Sequence, residues 1–210
     1  MSKTSPAAPP SPTLTIRGAA LYREIIPQAA QRAILEDIGE VVRQAPLFAP
    51  VTARGKPMSV RMTSAGAVGW VSDRGGYRYQ ALHPRGTPWP AIPDSVLGIW
   101  HRVAGPARMP DCCLVNHYGA EARMGLHQDR DEADLTQPVV SISLGDAALF
   151  RIGNPARGGK TESVWLSSGD VLVLGGAARL LYHGIDRIRP GSSALLPQGG
   201  RINLTLRVAR

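Results

Sequence analysis

The hydrophobic period of the chain changes near residue 112, and that change separates two kinds of predicted element. From Pro27 the apolar residues Ala30, Ala33, Ile34, Ile38, Val41 and Val42 recur at helical spacing, with Pro27 tolerated in the first turn and Pro46 closing the segment. A second helix is predicted from Asp94 as N-cap through Val96, Ile99, Trp100 and Val103, stopped by Gly105-Pro106. Between them, residues 47 to 93 are rich in Gly, Pro and Arg with scattered aromatics, a pattern of short strands and long loops. From Cys112 onward the period is two. Runs at Cys112 to Tyr118, Val139 to Leu144, Ala148 to Ile152, Ser163 to Leu166, Val171 to Leu174 and Ile202 to Val208 are separated by Gly, Asn, Asp or Pro. So many short strands without helical crossovers predict a jelly roll rather than a parallel sheet. The expected class is mainly β with flanking helices (α+β), and there is no internal repeat.

At 210 residues the chain suits one compact domain, long enough to bury roughly 70% of its unfolded surface without staples. The proline-rich residues 1 to 13 have nothing to bury and read as a disordered tail. Residues 14 to 110 read as an N-terminal extension, and 111 to 210 as the jelly-roll core of the same unit. Cys112 and Cys113 are the only cysteines; being adjacent, they cannot form a normal disulfide and read as small buried hydrophobes of a reducing compartment, the cytoplasm. No basic start with an apolar stretch behind it and no run of 18 apolar residues is present, so neither secretion nor a membrane partner is expected. The net charge is +8, and 21 of the 24 basic residues are arginine, which suits phosphate and carboxylate partners. Residues 54 to 110 concentrate this excess, with eight basic residues (Arg54, Lys56, Arg61, Arg74, Arg78, Arg85, Arg102, Arg108) against Asp73 and Asp94.

The chemistry starts at His127 and Asp129, two apart and so on one face of an extended strand. A pair of ligands needs a third. Of His83, His101, His117 and His183, the last is favoured because its flanks mark a strand end 54 residues beyond Asp129, the distance over which a jelly roll returns a strand. Two imidazoles and a carboxylate on one face of an ion suit non-haem Fe(II), and zinc could use the same set. The last strand discriminates between them. Ile202, Leu204, Leu206 and Val208 alternate with Arg201, Asn203, Thr205 and Arg207, so the polar face carries a guanidinium at each end, roughly 20 Å apart at Cα. That spacing suits a five-carbon dicarboxylate such as 2-oxoglutarate gripped at both ends; a zinc hydrolase would leave the arginines without a purpose.

Together these motifs resemble the AlkB family of Fe(II)- and 2-oxoglutarate-dependent nucleic-acid demethylases, most closely the bacterial alkylation-repair members. The resemblance spans about residues 15 to 208. It is carried by Asn116-His117-Tyr118, the run Leu126-His127-Gln128-Asp129-Arg130-Asp131-Glu132, Tyr182-His183-Gly184-Ile185, and Arg201 to Arg207. It implies a double-stranded β-helix, or jelly roll, with iron on His127, Asp129 and His183. It implies 2-oxoglutarate on Asn116, Tyr118, Arg201, Asn203 and Arg207, with O2 as second cosubstrate. Met62, Gly69-Trp70 and Gly76-Tyr77-Arg78-Tyr79 look like that family's nucleotide-recognition lid, in which Trp70 and Tyr77 contact the flipped base and its phosphate, and Arg157 stands near the substrate. His117 falls on the opposite strand face and reads as structural. Asp131 has the parity of Asp129; it orients the metal site, partners Arg207, or stands beside a cationic methylated base. The activity implied is oxidative demethylation of 1-methyladenine and 3-methylcytosine in single- or double-stranded DNA, or RNA, by a monomer releasing succinate, CO2 and formaldehyde. The residues alone also fit a 2-oxoglutarate oxygenase acting on a protein or small molecule, or a nucleic-acid binding module with a structural metal.

Overall fold

The computed structural model describes residues 9–52 and 54–210, so residues 1–8 of the expected tail lie outside the described residues. Residues 9 to 12 are exposed and without regular structure, but Thr13 already belongs to the fold: its N–H donates to the Leu21 carbonyl at 2.9 Å. The elements that follow are β1 (Leu14–Ile16), β2 (Ala19–Tyr22), α1 (Gln28–Gln44), β3 (Val60–Gly66), β4 (Gly69–Asp73), β5 (Gly76–Gln80), α2 (Asp94–Val103), β6 (Cys112–Tyr118) and β7 (Met124–His127). The chain continues through β8 (Val139–Gly145), β9 (Ala147–Ile152), β10 (Glu162–Leu166), β11 (Val171–Leu174), β12 (His183–Arg189) and β13 (Arg201–Arg207). No helix is long and apolar enough to cross a membrane among the described residues.

Two antiparallel sheets face each other, seven strands in the order β1-β2-β11-β8-β13-β6-β3 and four in the order β10-β9-β12-β7. The jelly roll is as the alternation predicts, with a qualification. Three strands from before residue 110 complete the larger sheet, β1 and β2 beside β11 and β3 beside β6, so the core is not confined to residues 111–210. Strands β6, β8 and β11 of the larger sheet are covered on both faces and carry runs of consecutive apolar residues, such as Val171–Leu174, whereas β13 alternates. On one face Val115, Val140, Ile142, Leu144, Leu204 and Leu206 pack under α1 and α2, against Ile34, Ile38, Val41, Val96, Trp100 and Val103. On the other, Leu114, Leu172 and Leu174 meet Phe150, Ile152, Leu166 and Ile185 of the smaller sheet. That second face, between the sheets, also carries every polar residue of β13, and the functional cavity opens there.

Three local expectations are corrected. The buried stripe of α1 is Gln31, Ile34, Ile38 and Val41, whereas Ala30 and Ala33 are exposed. Gln31 takes an apolar position because both ends of its amide are satisfied, Nε2 donating to the Ile26 carbonyl at 2.7 Å and Oε1 accepting from Ser168 Oγ at 2.7 Å. Pro27 is the cap of α1 rather than a first-turn residue, and Pro93, not Asp94, caps α2. Asp94 instead lies in the first turn, where its charge complements the helix dipole. The last strand is Arg201–Arg207, one residue earlier than predicted, because Arg201 pairs with both Tyr118 and Gly145.

Candidate active site

Strand pairing brings the two histidines together. β7 and β12 are neighbours, His127 and His183 are register partners, and their rings lie 4.6 Å apart between centroids. The strands approach so closely there that a Cβ on Gly184 would stand 2.5 Å from the Met124 carbonyl oxygen, a position only glycine can fill. β7 ends at His127, so Asp129 lies just beyond the strand rather than within it. Its carboxylate still turns back between the rings, Oδ1 3.8 Å from His127 Nε2 and Oδ2 3.7 Å from His183 Nε2. Ligand atoms of all three fall within 4.8 Å of one another.

Each imidazole is oriented by its own backbone. His127 Nδ1 lies 3.0 Å from the Gly125 carbonyl and His183 Nδ1 2.9 Å from the Leu181 carbonyl. A carbonyl only accepts, so both Nδ1 atoms carry hydrogen and both Nε2 lone pairs face Asp129. Burial, with His183 close by, holds the His127 pKa below its ordinary value, which keeps the ring neutral and able to ligate. Burial alone would raise the pKa of Asp129, but the Arg207 guanidinium and the two imidazoles hold it well below the usual carboxylate range. Arg207 Nη2 donates to Asp129 Oδ1 at 2.8 Å. These residues therefore form three converging donors, two neutral nitrogens and one anionic oxygen, suited to a divalent ion of intermediate hardness.

A second group of polar residues lines the opposite wall. Asn203 and Asn116 are partners across β13 and β6, and Asn116 Nδ2 donates to Asn203 Oδ1 at 3.2 Å. Arg201 is fully buried; its Nη2 donates to Ser143 Oγ at 2.7 Å, and burial lowers its pKa to about 10. Tyr118 is buried too, which raises its pKa to about 12. Among the described residues, the buried side-chain atoms without a hydrogen-bond partner are Ser64 Oγ, Asn116 Oδ1, Arg201 Nε, Arg207 Nε and Arg207 Nη1. All but Ser64 Oγ belong to this wall. Buried polar atoms are rarely left unpaired, and the unpaired N–H groups of Arg201 and Arg207, one residue at each end of β13, suit an anionic partner with acceptors at both ends, whereas Asn116 Oδ1 is an acceptor and calls for a donor.

Both groups border a cavity of about 550 Å³, and Met62, Trp70, Tyr77, Asp131 and Arg157 border it as well. Trp70 and Tyr77, from the separate two-stranded hairpin β4–β5, stack at 5.4 Å with 19° between planes. Trp70 Nε1 donates to Asp131 Oδ2 at 3.2 Å. Asp131 is therefore not a partner of Arg207; Asp129 and Glu132 take that place. Arg157 lies over the Tyr182 ring at 5.4 Å, and Met62 is buried in the wall. The other histidines stay apart. His83 packs edge-on against Phe48 and Trp89, His101 is exposed on α2, and His117 points away from the cavity, with burial lowering its pKa. Part of the basic excess of residues 54 to 110 is engaged within the protein: Asp73 takes Arg78 in a two-bond pair, Arg102 donates to the Ile25 carbonyl, and Arg108 donates to the Arg210 carbonyl. Sequence reading missed Ser141 and Ser143, whose parity on β8 places them toward Asn203 and Arg201, and it missed the buried Arg179.

Comparison with known proteins agrees with this chemistry. A model of the 2OG-Fe(II) oxygenase superfamily matches residues 18–207. The chain is 54% identical over 200 residues to an alpha-ketoglutarate-dependent dioxygenase AlkB homolog of Caulobacter vibrioides, covering 95% of this chain and 91% of that one. It is 41% identical over 197 residues to the alpha-ketoglutarate-dependent dioxygenase AlkB of Escherichia coli, covering 91% and 90%. The solved structure of OsALKBH1 matches with a TM-score of 0.78 at 30% identity, over 93% of this chain and 100% of that one.

Removing any one of the three converging donors should remove the metal. After anaerobic loading with Fe(II) and desalting, the wild type is expected to retain one iron per chain by elemental analysis, and His183→Ala far less; stoichiometric iron in that variant would displace His183 from the metal site.

Proposed function

The chain belongs to the 2OG-Fe(II) oxygenase superfamily and to the AlkB group within it, and from that premise we propose that it oxidatively demethylates N-alkylated bases, 1-methyladenine and 3-methylcytosine, in DNA or RNA. Fe(II) is its cofactor and 2-oxoglutarate and O2 are its cosubstrates. In this reading His127, Asp129 and His183 hold the iron, and Asn116, Tyr118, Arg201, Asn203 and Arg207 hold 2-oxoglutarate. The observation that carries it is the coincidence, in one cavity, of three converging metal donors with unpaired buried N–H groups on Arg201 and Arg207. When bound, iron with 2-oxoglutarate and O2 supplies the oxidising power that hydroxylates the alkyl carbon, which then leaves as formaldehyde beside succinate and CO2.

The chain's own residues do the positioning. The Gly125 and Leu181 carbonyls hold both imidazoles by their Nδ1 hydrogens, so neither ring has to turn for a metal. Arg207 keeps Asp129 ionised inside the protein. The two guanidiniums, one at each end of β13, match the two carboxylates of the cosubstrate, and a planar fork fixes direction as well as charge. On the substrate side Met62, Trp70, Tyr77, Asp131 and Arg157 receive the base. A base must leave its stack to reach the iron, and the Trp70 and Tyr77 rings replace that stacking. Asp131 adds selectivity, since methylation at N1 of adenine or N3 of cytosine makes the base a cation while 1-methylguanine is neutral. The DNA is single- or double-stranded in this reading, and the enzyme works as a cytoplasmic monomer. Two free, buried cysteines accord with that compartment.

The direct test supplies Fe(II), 2-oxoglutarate and O2 with an oligonucleotide bearing one 1-methyladenine. One formaldehyde and one succinate per restored base are expected; succinate formation that ignores the oligonucleotide would redirect the enzyme to a protein or small molecule. Arg207→Ala should weaken 2-oxoglutarate binding by about 2 to 5 kcal/mol, read as a raised KM, and Arg207→Lys should recover only part of it; an unchanged KM would remove Arg207 from the cosubstrate site. Asp131→Asn keeps shape and removes charge, so it should slow 1-methyladenine and 3-methylcytosine by on the order of 1 to 3 kcal/mol in barrier and 1-methylguanine much less. Equal slowing of all three would mean that Asp131 does not read the charge.

A further inference from the structure

The hairpin β4–β5 shares no ladder with either large sheet, yet it touches the site at two consecutive acids. Trp70 and Tyr79 are register partners across the hairpin and so project from one face. Trp70 Nε1 donates to Asp131 on the solvent side, and the Tyr79 hydroxyl donates to Glu132 Oε1 inside. These acids follow Asp129 by two and three residues. A base beside Asp131 must compete with Trp70 for its carboxylate, whereas the Tyr79 contact is out of the base's way.

Glu132 does more than receive Tyr79. Its side chain is 2% exposed and meets two arginines that are themselves buried, Arg179 at 4% and Arg207 at 7%. Arg179 Nη2 donates to Oε2 at 2.9 Å, and Arg207 Nε lies 3.3 Å from Oε1. The same two arginines grip Asp129 from both sides: Arg179 Nη1 donates to its backbone carbonyl, and Arg207 Nη2 to its Oδ1. One carboxylate therefore lies against both groups that fix Asp129; its contact with the Nε edge of Arg207 is a 3.3 Å charge contact, and Nε and Nη1 of that guanidinium both stay without a hydrogen-bond partner. Two cations and two anions balance in this buried cluster. Tyr79, from the hairpin, is the neutral fifth member, and without its hydrogen bond one Glu132 oxygen would keep only a long contact to Arg207.

We propose that Glu132 is a positioning residue that couples the hairpin to the iron and cosubstrate site, so that nucleic acid held under the hairpin and 2-oxoglutarate held on Arg207 strengthen each other's binding. The proposal rests on the assignment of Asp129 and Arg207 made above. Docking of the hairpin seats Tyr79 on Glu132, which steadies Arg207 in the pose that presents Nη1 and steadies Asp129 through both arginines. Linkage makes the effect reciprocal: the factor by which nucleic acid tightens 2-oxoglutarate is the factor by which 2-oxoglutarate tightens nucleic acid.

The test measures the dissociation constant of 2-oxoglutarate anaerobically on the Fe(II) protein, from its metal-to-ligand charge-transfer absorption, with and without a saturating single-stranded oligonucleotide carrying 1-methyladenine. In the wild type the oligonucleotide is expected to tighten 2-oxoglutarate by at least about fivefold. Tyr79→Phe, which deletes one hydroxyl, should bring that ratio close to one while leaving stoichiometric iron. Glu132→Gln should do the same and also weaken 2-oxoglutarate in the absence of nucleic acid. The double variant should have the ratio of either single one. Hydrogen exchange gives a second readout: Fe(II) and 2-oxoglutarate should slow exchange across residues 69 to 80 in the wild type and not in Tyr79→Phe. A merely destabilised protein would lose affinity for both ligands without losing their ratio. A wild-type ratio of one, or a Tyr79→Phe protein that keeps the wild-type ratio, overturns the proposal. If Glu132→Gln fails to fold, Tyr79→Phe decides alone. A wild type that shows no absorption band with Fe(II) and 2-oxoglutarate overturns the reading of the site itself, whereas a normal band without coupling overturns only this inference.

Discussion

A carboxylate that must stay ionised inside a protein sets the terms for everything around it, and here that carboxylate is Asp129. Burial disfavours the charge, and an isolated buried ion would neutralise itself by taking up a proton on the lone pair a metal needs. Arg207 prevents this with a hydrogen bond of 2.8 Å to Oδ1. Arg207 then raises the same problem in its own right. Its charge is buried, and Glu132 and Asp129 are the acids it meets. A buried pair gains little net stability, but breaking one leaves an uncompensated charge at about 3 to 5 kcal/mol. The group is therefore closed, because each member is held in place by the penalty of losing another.

Geometry lets that group form next to the histidines. Strand β13 runs in the middle of the larger sheet, between β6 and β8, and its polar side chains are buried on the face turned to the smaller sheet, away from bulk water. Polar residues in such a place must pair or wait for a ligand. Asn203 pairs, with Ser141 and Asn116, and Thr205 pairs with Asn203. Arg201 and Arg207 at the two ends pair only in part. The incompleteness is located where a dicarboxylate would complete it, and an ordinary core strand would not tolerate it.

Much of this architecture is legible in the sequence because it follows from alternation and spacing. Arg201 to Arg207 has an unbroken period of two, and the structure sorts it, and its partner strand Cys112 to Tyr118, by parity into a helix-facing and a cavity-facing set. The helices are equally legible, apart from their caps and Gln31, where a side-chain network rather than hydropathy decides the face. The short strands β1, β2 and β7 lack enough residues to show a period. The cluster around Glu132 was not legible for a different reason. Its contacts join residues 53, 47 and 78 positions apart, Tyr79 to Glu132, Arg179 to Glu132 and Arg207 to Asp129. No local pattern records such pairs. Glu132 sits inside a recognisable run, but its neighbours give no sign that it faces inward, and Arg179 lies after a short turn with no periodicity at all.

The hairpin β4–β5 illustrates why the substrate side of such a site is built from weak parts. A two-stranded ribbon is marginal by itself, and this one is held from outside: Val71 sits in a small cluster with Trp89 and Ala45, Gly69 lies on the Trp89 ring, Trp70 and Tyr79 pack against the core, and hydrogen bonds run from Ser72 to Val51, from Trp89 to Gln80, and from Trp70 and Tyr79 to Asp131 and Glu132. The jelly roll beside it is secured by dozens of ladder bonds and two hydrophobic layers. Local opening follows the density of such contacts, so a two-stranded hairpin opens at lower cost than the ladders that carry the metal donors. An enzyme that must admit a nucleotide, close over it and release it needs that division, with a rigid wall for the reacting atoms and a loosely held one for the substrate. Both walls converge on residues 129 to 132, which is why a short acidic run after β7 has so large a share in the behaviour of the molecule.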